Sequence, residues 1–168
     1  VFTVEAGAFT SRFNGTGGKG GPAGAMHRIS FFADVNGDDS QELVAGNTAY
    51  KADGTILWQT MGIPDGWDAI ADLNADGLPE LAHVAEGKVR VLSGATGAVL
   101  LGPTPVPGGG TGGPPTIADF DGDGVPEIGV AAQKKYAVYK PDFAGGTLPV
   151  LWSAPNHDLS SSVTGSSV

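Results

Sequence analysis

Three segments of the chain carry oxygen-bearing side chains at the same intervals. Ala33 to Leu43 aligns without gaps to Ala71 to Leu81 and to Ala118 to Ile128. Counted from the first Asp, position one is Asp34, Asp72 and Asp119, and position three is Asn36, Asn74 and Asp121. Position five is Asp38, Asp76 and Asp123, and position nine is Glu42, Glu80 and Glu127. Oxygen donors at alternate residues, closed by a carboxylate, suit a hard divalent cation. Calcium takes roughly six to eight oxygens at about 2.3–2.6 Å, which a tight loop supplies from alternating residues. Position seven, occupied by Ser40, Leu78 and Val125, then offers its backbone carbonyl, a role indifferent to side chain. Magnesium demands a smaller octahedron and keeps its waters, and zinc prefers Cys and His.

Position six must reverse the chain sharply. Gly77 and Gly124 meet that need, whereas Asp39 stands there in the first loop. Asp accepts positive φ at some cost, so the first site is expected to be weaker or distorted. The alternative is three solvated Asp-Gly turns. Against it, eleven of the 18 acidic residues fall in the three loops, at 34–42, 72–80 and 119–127.

The loops start 38 and 47 residues apart, the spacing of an array of repeated units. Short apolar runs precede them at 29–32, 67–70 and 116–117, and others follow at 43–45, 81–84 and 128–131. Two more strand-like runs complete each unit: 48–50 and 55–58, 89–92 and 98–101, 136–139 and 148–152. Asp53-Gly54 and Thr96-Gly97 between such runs are hairpin signals. Each unit reads as four antiparallel strands, the blade of a β-propeller. No stretch has a capped 3.6-residue period, so no helix is expected. The fold class is all-β, with units at about 24–62, 63–107 and 108–155 and partial units at 1–23 and 156–168.

Composition agrees. With 28 Gly, 12 Pro and 40% apolar residues, the chain fits a turn-rich β-protein with a real core. A net charge of −9 argues against a phosphate-backbone partner. No cysteine is present, which excludes disulfides, thiolate zinc and a Cys nucleophile. No apolar run reaches the roughly 18 residues of a membrane span. The start at Val1, without initiator Met or signal peptide, suggests a processed or truncated piece. The run from Gly15 to Gly20 fits a dinucleotide fingerprint but lacks the strand-to-helix context, so it reads as a connection between units.

The loops, their flanks and the Gly-rich entries resemble FG-GAP or VCBS-type repeats, the blades of integrin α-chain-like propellers. The resemblance covers roughly residues 24–155. It implies about three calcium ions, one per unit, in a mainly structural role. The implied ligands are Asp34, Asn36, Asp38, Ser40 and Glu42; Asp72, Asn74, Asp76, Leu78 and Glu80; and Asp119, Asp121, Asp123, Val125 and Glu127.

No catalytic constellation emerges. His27, His83 and His157 form no metalloprotease spacing, and there is no nucleophile elbow. His83 reads as a hydrogen-bonded structural residue, and clustered carboxylates are claimed by the loops. Trp58 and Trp152 occupy the same place in their units and should pack between blades. Trp67 could stack on a sugar, but packing is favoured. Asn14-Gly15-Thr16 is a formal glycosylation sequon. Residues 1–13 look like the last strands of a preceding unit, and 157–168 like the entry to a further one. Three units do not close a ring, so self-association or missing blades of a parent protein are expected. The leading expectation is a non-catalytic, secreted or cell-surface module for adhesion, assembly or glycan binding, without nucleic acid. The alternatives are the accessory part of a secreted polysaccharide-degrading enzyme and a subunit of a surface fibre.

Overall fold

The chain alternates short strands with Gly-rich turns, and a computed structural model describes residues 2–5, 8–11, 13–21 and 29–156. β1 (Phe2–Glu5) and β2 (Ala8–Ser11) form a hairpin. Three four-stranded antiparallel sheets follow, each a meander in chain order. The first holds β3 (Phe31–Ala33), β4 (Glu42–Ala45), β5 (Thr48–Tyr50) and β6 (Ile56–Gln59). The second holds β7 (Trp67–Ala71), β8 (Glu80–Ala85), β9 (Lys88–Ser93) and β10 (Val99–Pro105). The third holds β11 (Thr116–Ala118), β12 (Glu127–Ala131), β13 (Lys135–Tyr139) and β14 (Val150–Pro155). Among the described residues there is no helix, and no sheet closes on itself.

Side chains on a strand alternate between faces, and the second sheet is apolar on both. On one face Leu81 and Leu92 pack with Val35, Val44, Ala49 and Trp58 of the first unit. On the other, Ala82, Val84, Val89 and Val91 pack with Ile128, Val130, Ala137 and Tyr139 of the third. The three sheets are therefore stacked through two apolar layers. Each layer uses the same pair of faces.

The Gly-rich connections pass close over the sheets, the first over the sheet it leads into and the 106–115 connection over the sheet it leaves. An added Cβ at Gly18 would stand 2.2 Å from the Ala45 carbonyl, and one at Gly112 2.7 Å from Val84. The amides of the first connection are spent on the chain itself. Gly17 donates to the Tyr50 hydroxyl at 2.6 Å, Gly18 to Thr48 Oγ1 at 2.7 Å and Lys19 to Asp65 Oδ2 at 2.8 Å. Those three amides are thus taken up within the chain.

Candidate metal centre

Each Asp-rich loop joins the first two strands of a sheet, between β3 and β4, β7 and β8, and β11 and β12. Position nine is the first residue of the second strand in every case. The internal hydrogen bonds repeat as well. The amide of position six donates to position one at 2.9, 3.0 and 2.9 Å: Asp39 to Asp34, Gly77 to Asp72, Gly124 to Asp119. The amide of position seven donates to position five at 2.9, 2.8 and 2.8 Å: Ser40 to Asp38, Leu78 to Asp76, Val125 to Asp123. The amide of position two donates to the buried position-nine carboxylate: Val35 to Glu42 at 3.2 Å, Leu73 to Glu80 at 2.9 Å, Phe120 to Glu127 at 2.8 Å. Backbone amides turned inward orient the side-chain oxygens of positions one, three and five around the loop.

Wrapping of this kind needs two left-handed residues per loop. Position six has φ of 65° at Asp39, 91° at Gly77 and 87° at Gly124. Position four has 76° at Gly37, 60° at Ala75 and 81° at Gly122. The first loop keeps the hydrogen bonds of its siblings, so Asp39 is accommodated without the expected distortion. The second requirement, at position four, was not anticipated from the sequence. Ala75 meets it without the freedom of glycine, in a conformation unfavourable for a residue with a Cβ.

The electrostatics differ between loops. In the third, ligand atoms of Asp119, Asp121 and Glu127 lie within 4.8 Å of one another, the acidic group of this kind among the described residues. Glu127 is fully buried, and its Oε1 has no hydrogen-bond partner. A buried carboxylate oxygen that no hydrogen bond satisfies, set beside two further carboxylates in an all-oxygen group, fits a hard cation. Lys140 already reaches this cluster, with Nζ 2.5 Å from Asp121 Oδ2, 2.5 Å from Asp123 Oδ2 and 3.3 Å from Glu127 Oε1. That lysine holds the Asp123 carboxyl below the usual range. In the first loop the Ser40 amide and then Asn36 do the same for Asp38. Glu80 is shifted the other way, because burial and then Asp76 and Asp72 disfavour its charge. A cation beside it would relieve that cost.

His83 lies buried with Nδ1 2.7 Å from Asp68 Oδ1 and Nε2 3.1 Å from the Pro64 carbonyl, so both ring nitrogens are engaged, while the buried Asp68 Oδ2 has no hydrogen-bond partner. Burial pushes the Asp68 carboxyl up to about 6. Trp67 is buried, which leaves no face for a sugar. Asn14 of the sequon is exposed. His27 and His157 lie outside the described residues.

Trp58 and Trp152 are structurally equivalent, opposite Ala49 and Val138 in their sheets. Trp58 is buried (7% exposed) against the second sheet and donates its Nε1–H to the Gly94 carbonyl at 2.7 Å. Trp152 is 40% exposed and meets Phe120 and Tyr136 at ring separations of 6.2 and 6.1 Å. Phe120 is the position-two residue of its loop, the counterpart of Val35 and Leu73, which are buried in the two apolar layers.

Residues 72–130 match the FG-GAP-like repeat family. No curated protein matches the sequence. Among solved structures, the crystal structure of the V. cholerae biofilm matrix protein Bap1 is similar, with a TM-score of 0.58 at 24% identity. The likeness covers 83% of this chain and 21% of that one, so the chain spans about a fifth of the Bap1 chain. At that identity the likeness is one of fold.

Proposed function

From the FG-GAP-like repeat that the chain carries, we propose that it is a calcium-stapled, non-catalytic propeller segment working outside the cell in adhesion or matrix assembly. The observation that carries the calcium reading is the threefold loop geometry, with a buried Glu at each base and, at Glu127, an oxygen that no hydrogen bond satisfies and that only the Lys140 ammonium approaches. One ion per loop would be held by positions one, three, five, seven and nine. It would supply charge compensation for carboxylates that the fold brings together. Extracellular modules bind calcium at roughly 10⁻⁴–10⁻³ M, a range that suits a cysteine-free chain exposed to external calcium. The family resemblance and the fold likeness to a biofilm matrix protein support an external, non-enzymatic role.

The three sheets are read as successive blades. The outer face of the third sheet, with Phe120, Tyr136 and Trp152, has no covering layer among the described residues. Its counterparts are covered by the next sheet in both existing layers. The partner it fits is a further four-stranded unit of the same repeat, presenting the equivalents of Leu81, Leu92 and the Gly94 carbonyl. Both claims have direct tests. Thermal melting should rise in calcium and fall with chelator; superimposable curves would refute the metal. Trp152→Ser should reduce self-association in sedimentation, or binding to the remaining repeats of the parent protein; unchanged association would refute the stacking face.

A further inference from the structure

One position outside the loops varies in step with them. The residue that ends the third strand of a sheet or directly follows it lies across from the position-nine Glu: Ser93 pairs with Glu80, and the register of Leu43 with Tyr50 and Ile128 with Tyr139 places Lys51 and Lys140 likewise. The loop charges follow this position. The first loop has four carboxylates (Asp34, Asp38, Asp39, Glu42) and faces Lys51. The second has three (Asp72, Asp76, Glu80) and faces Ser93. The third has four (Asp119, Asp121, Asp123, Glu127) and faces Lys140. Each loop with its facing residue therefore carries a net −3. A lysine is present where the loop carries one more carboxylate, at position three in the third loop (Asp121) and at position six, outside the ligand set, in the first (Asp39).

In the third loop the lysine is inside the cradle. Its ammonium bonds Asp121 and Asp123 and lies 3.3 Å from the buried Glu127 Oε1, the oxygen with no hydrogen-bond partner. In the second loop the same region is bridged by an uncharged amide, Asn74 Nδ2, at 2.9 Å from Asp76 Oδ2 and 3.1 Å from Glu80 Oε1. A flexible lysine stem allows the ammonium to enter or leave such a site without moving the backbone.

We propose that Lys140 is a tethered competitor for the cation of the third loop, and that the residue at this position tunes the affinity of each loop. This rests on the calcium reading above. Asp121, Asp123 and Glu127 cannot satisfy the ammonium and a bound ion together, so binding requires the side chain to withdraw. The lysine also keeps the four-carboxylate loop from repelling itself when calcium is scarce. Dependence on calcium is thereby set within the chain.

The test is a calcium titration of the full chain, followed by the backbone amide NMR signals of Gly77 and Gly124. These report the second and third loops separately, since each amide bonds the position-one Asp of its own loop. Lys140→Ser should lower the Gly124 midpoint about fivefold, the upper range of a partly exposed ion pair, and leave Gly77 unmoved. Ser93→Lys should raise the Gly77 midpoint by a similar factor. Should Lys140→Ser lose its dispersed spectrum, the Ser93→Lys result decides. A Gly124 midpoint within about twofold of wild type, with both loops still titrating, would overturn the competition but leave calcium binding intact. Failure of both glycines to respond in the wild type would overturn the calcium reading and the competition with it.

Discussion

Replacing Glu80 by Gln separates a structural role of the loop from a metal-binding one. The glutamine carbonyl can still accept the Leu73 amide, now 2.9 Å from Glu80 Oε2. What disappears is the charge, together with the long 3.1 Å bond that Asn74 Nδ2 donates to Oε1. Without calcium that charge is a liability, because burial disfavours it and Asp76 and Asp72 repel it. The calcium-free variant should therefore melt no lower than wild type. With calcium the sign reverses. A site with an affinity near 10⁻⁴ M, filled at about 10 mM, stabilises the fold by about 2.7 kcal/mol, and three sites by about 8 kcal/mol. For a chain of 168 residues, about 2–4 °C per kcal/mol gives a calcium-dependent rise of roughly 16–32 °C. The Glu80→Gln chain should keep about two thirds of it. Differential scanning fluorimetry in calcium and in chelator, on both proteins, reads all four values. A variant that melts well below wild type in chelator, yet gains the full increment from calcium, would show that Glu80 only caps the Leu73 amide.

Trp58→Ala should cost about 3–5 kcal/mol in urea unfolding, because it opens a cavity between the sheets and orphans the Gly94 carbonyl. The equivalent change at Trp152 should cost under about 1 kcal/mol, since its ring is half in solvent. His83→Ala leaves the Asp68 carboxyl buried without its partner and should cost about 3–5 kcal/mol by the same measurement. The pH dependence follows from Asp68, whose carboxyl titrates near 6 in the fold against 3.8 ordinarily. The folded chain holds a proton there that the unfolded chain releases, so this contribution is full below about pH 4 and is lost as pH rises through about 6. Asp68→Asn should flatten that part of a chelator-treated stability profile; an unchanged slope would place the proton elsewhere.

Much of the fold was legible because its signals are local and repeated. Asp-rich turns and apolar runs placed all twelve strands of the three sheets within a few residues, and Thr48–Tyr50 to the residue. A pairing register follows once two strands flank a loop of fixed length, so Glu42, Glu80 and Glu127 each begin a strand. The equivalence of Trp58 and Trp152 was readable from their place in the repeat, but their different burial was not. Exposure depends on whether a following sheet is present, which is a tertiary fact. Lys140 was invisible for a related reason. It lies 13 residues beyond Glu127 in sequence and reaches the loop only because β12 and β13 pair. Asp39 shows how far residue type alone reaches. An unfavourable residue type suggested distortion, yet its amide bond to Asp34 and its left-handed φ match those of the glycines.

The position-nine Glu connects each loop to more than its own sheet. Its carboxylate holds the amide of position two, and the side chain of that residue is not a loop side chain in any energetic sense. Val35 is fully buried against Leu81 and Leu92 of the second sheet, and Leu73 is buried in the layer shared with the third. Any shift of the Glu therefore displaces an amide whose side chain is a plug between sheets. Close-packed interiors do not absorb such shifts gradually. Loss of loop order should thus loosen the stacking of neighbouring units before it unravels a single sheet, whose ladders are independent of the loop. Hydrogen exchange can separate these two events. Chelator should deprotect the Val35 and Leu73 amides while the β8–β9 ladder, from Glu80 with Ser93 to Ala85 with Lys88, stays protected. Simultaneous loss of both would mean that the loops and sheets form one cooperative unit, and that the ions staple strands rather than blades.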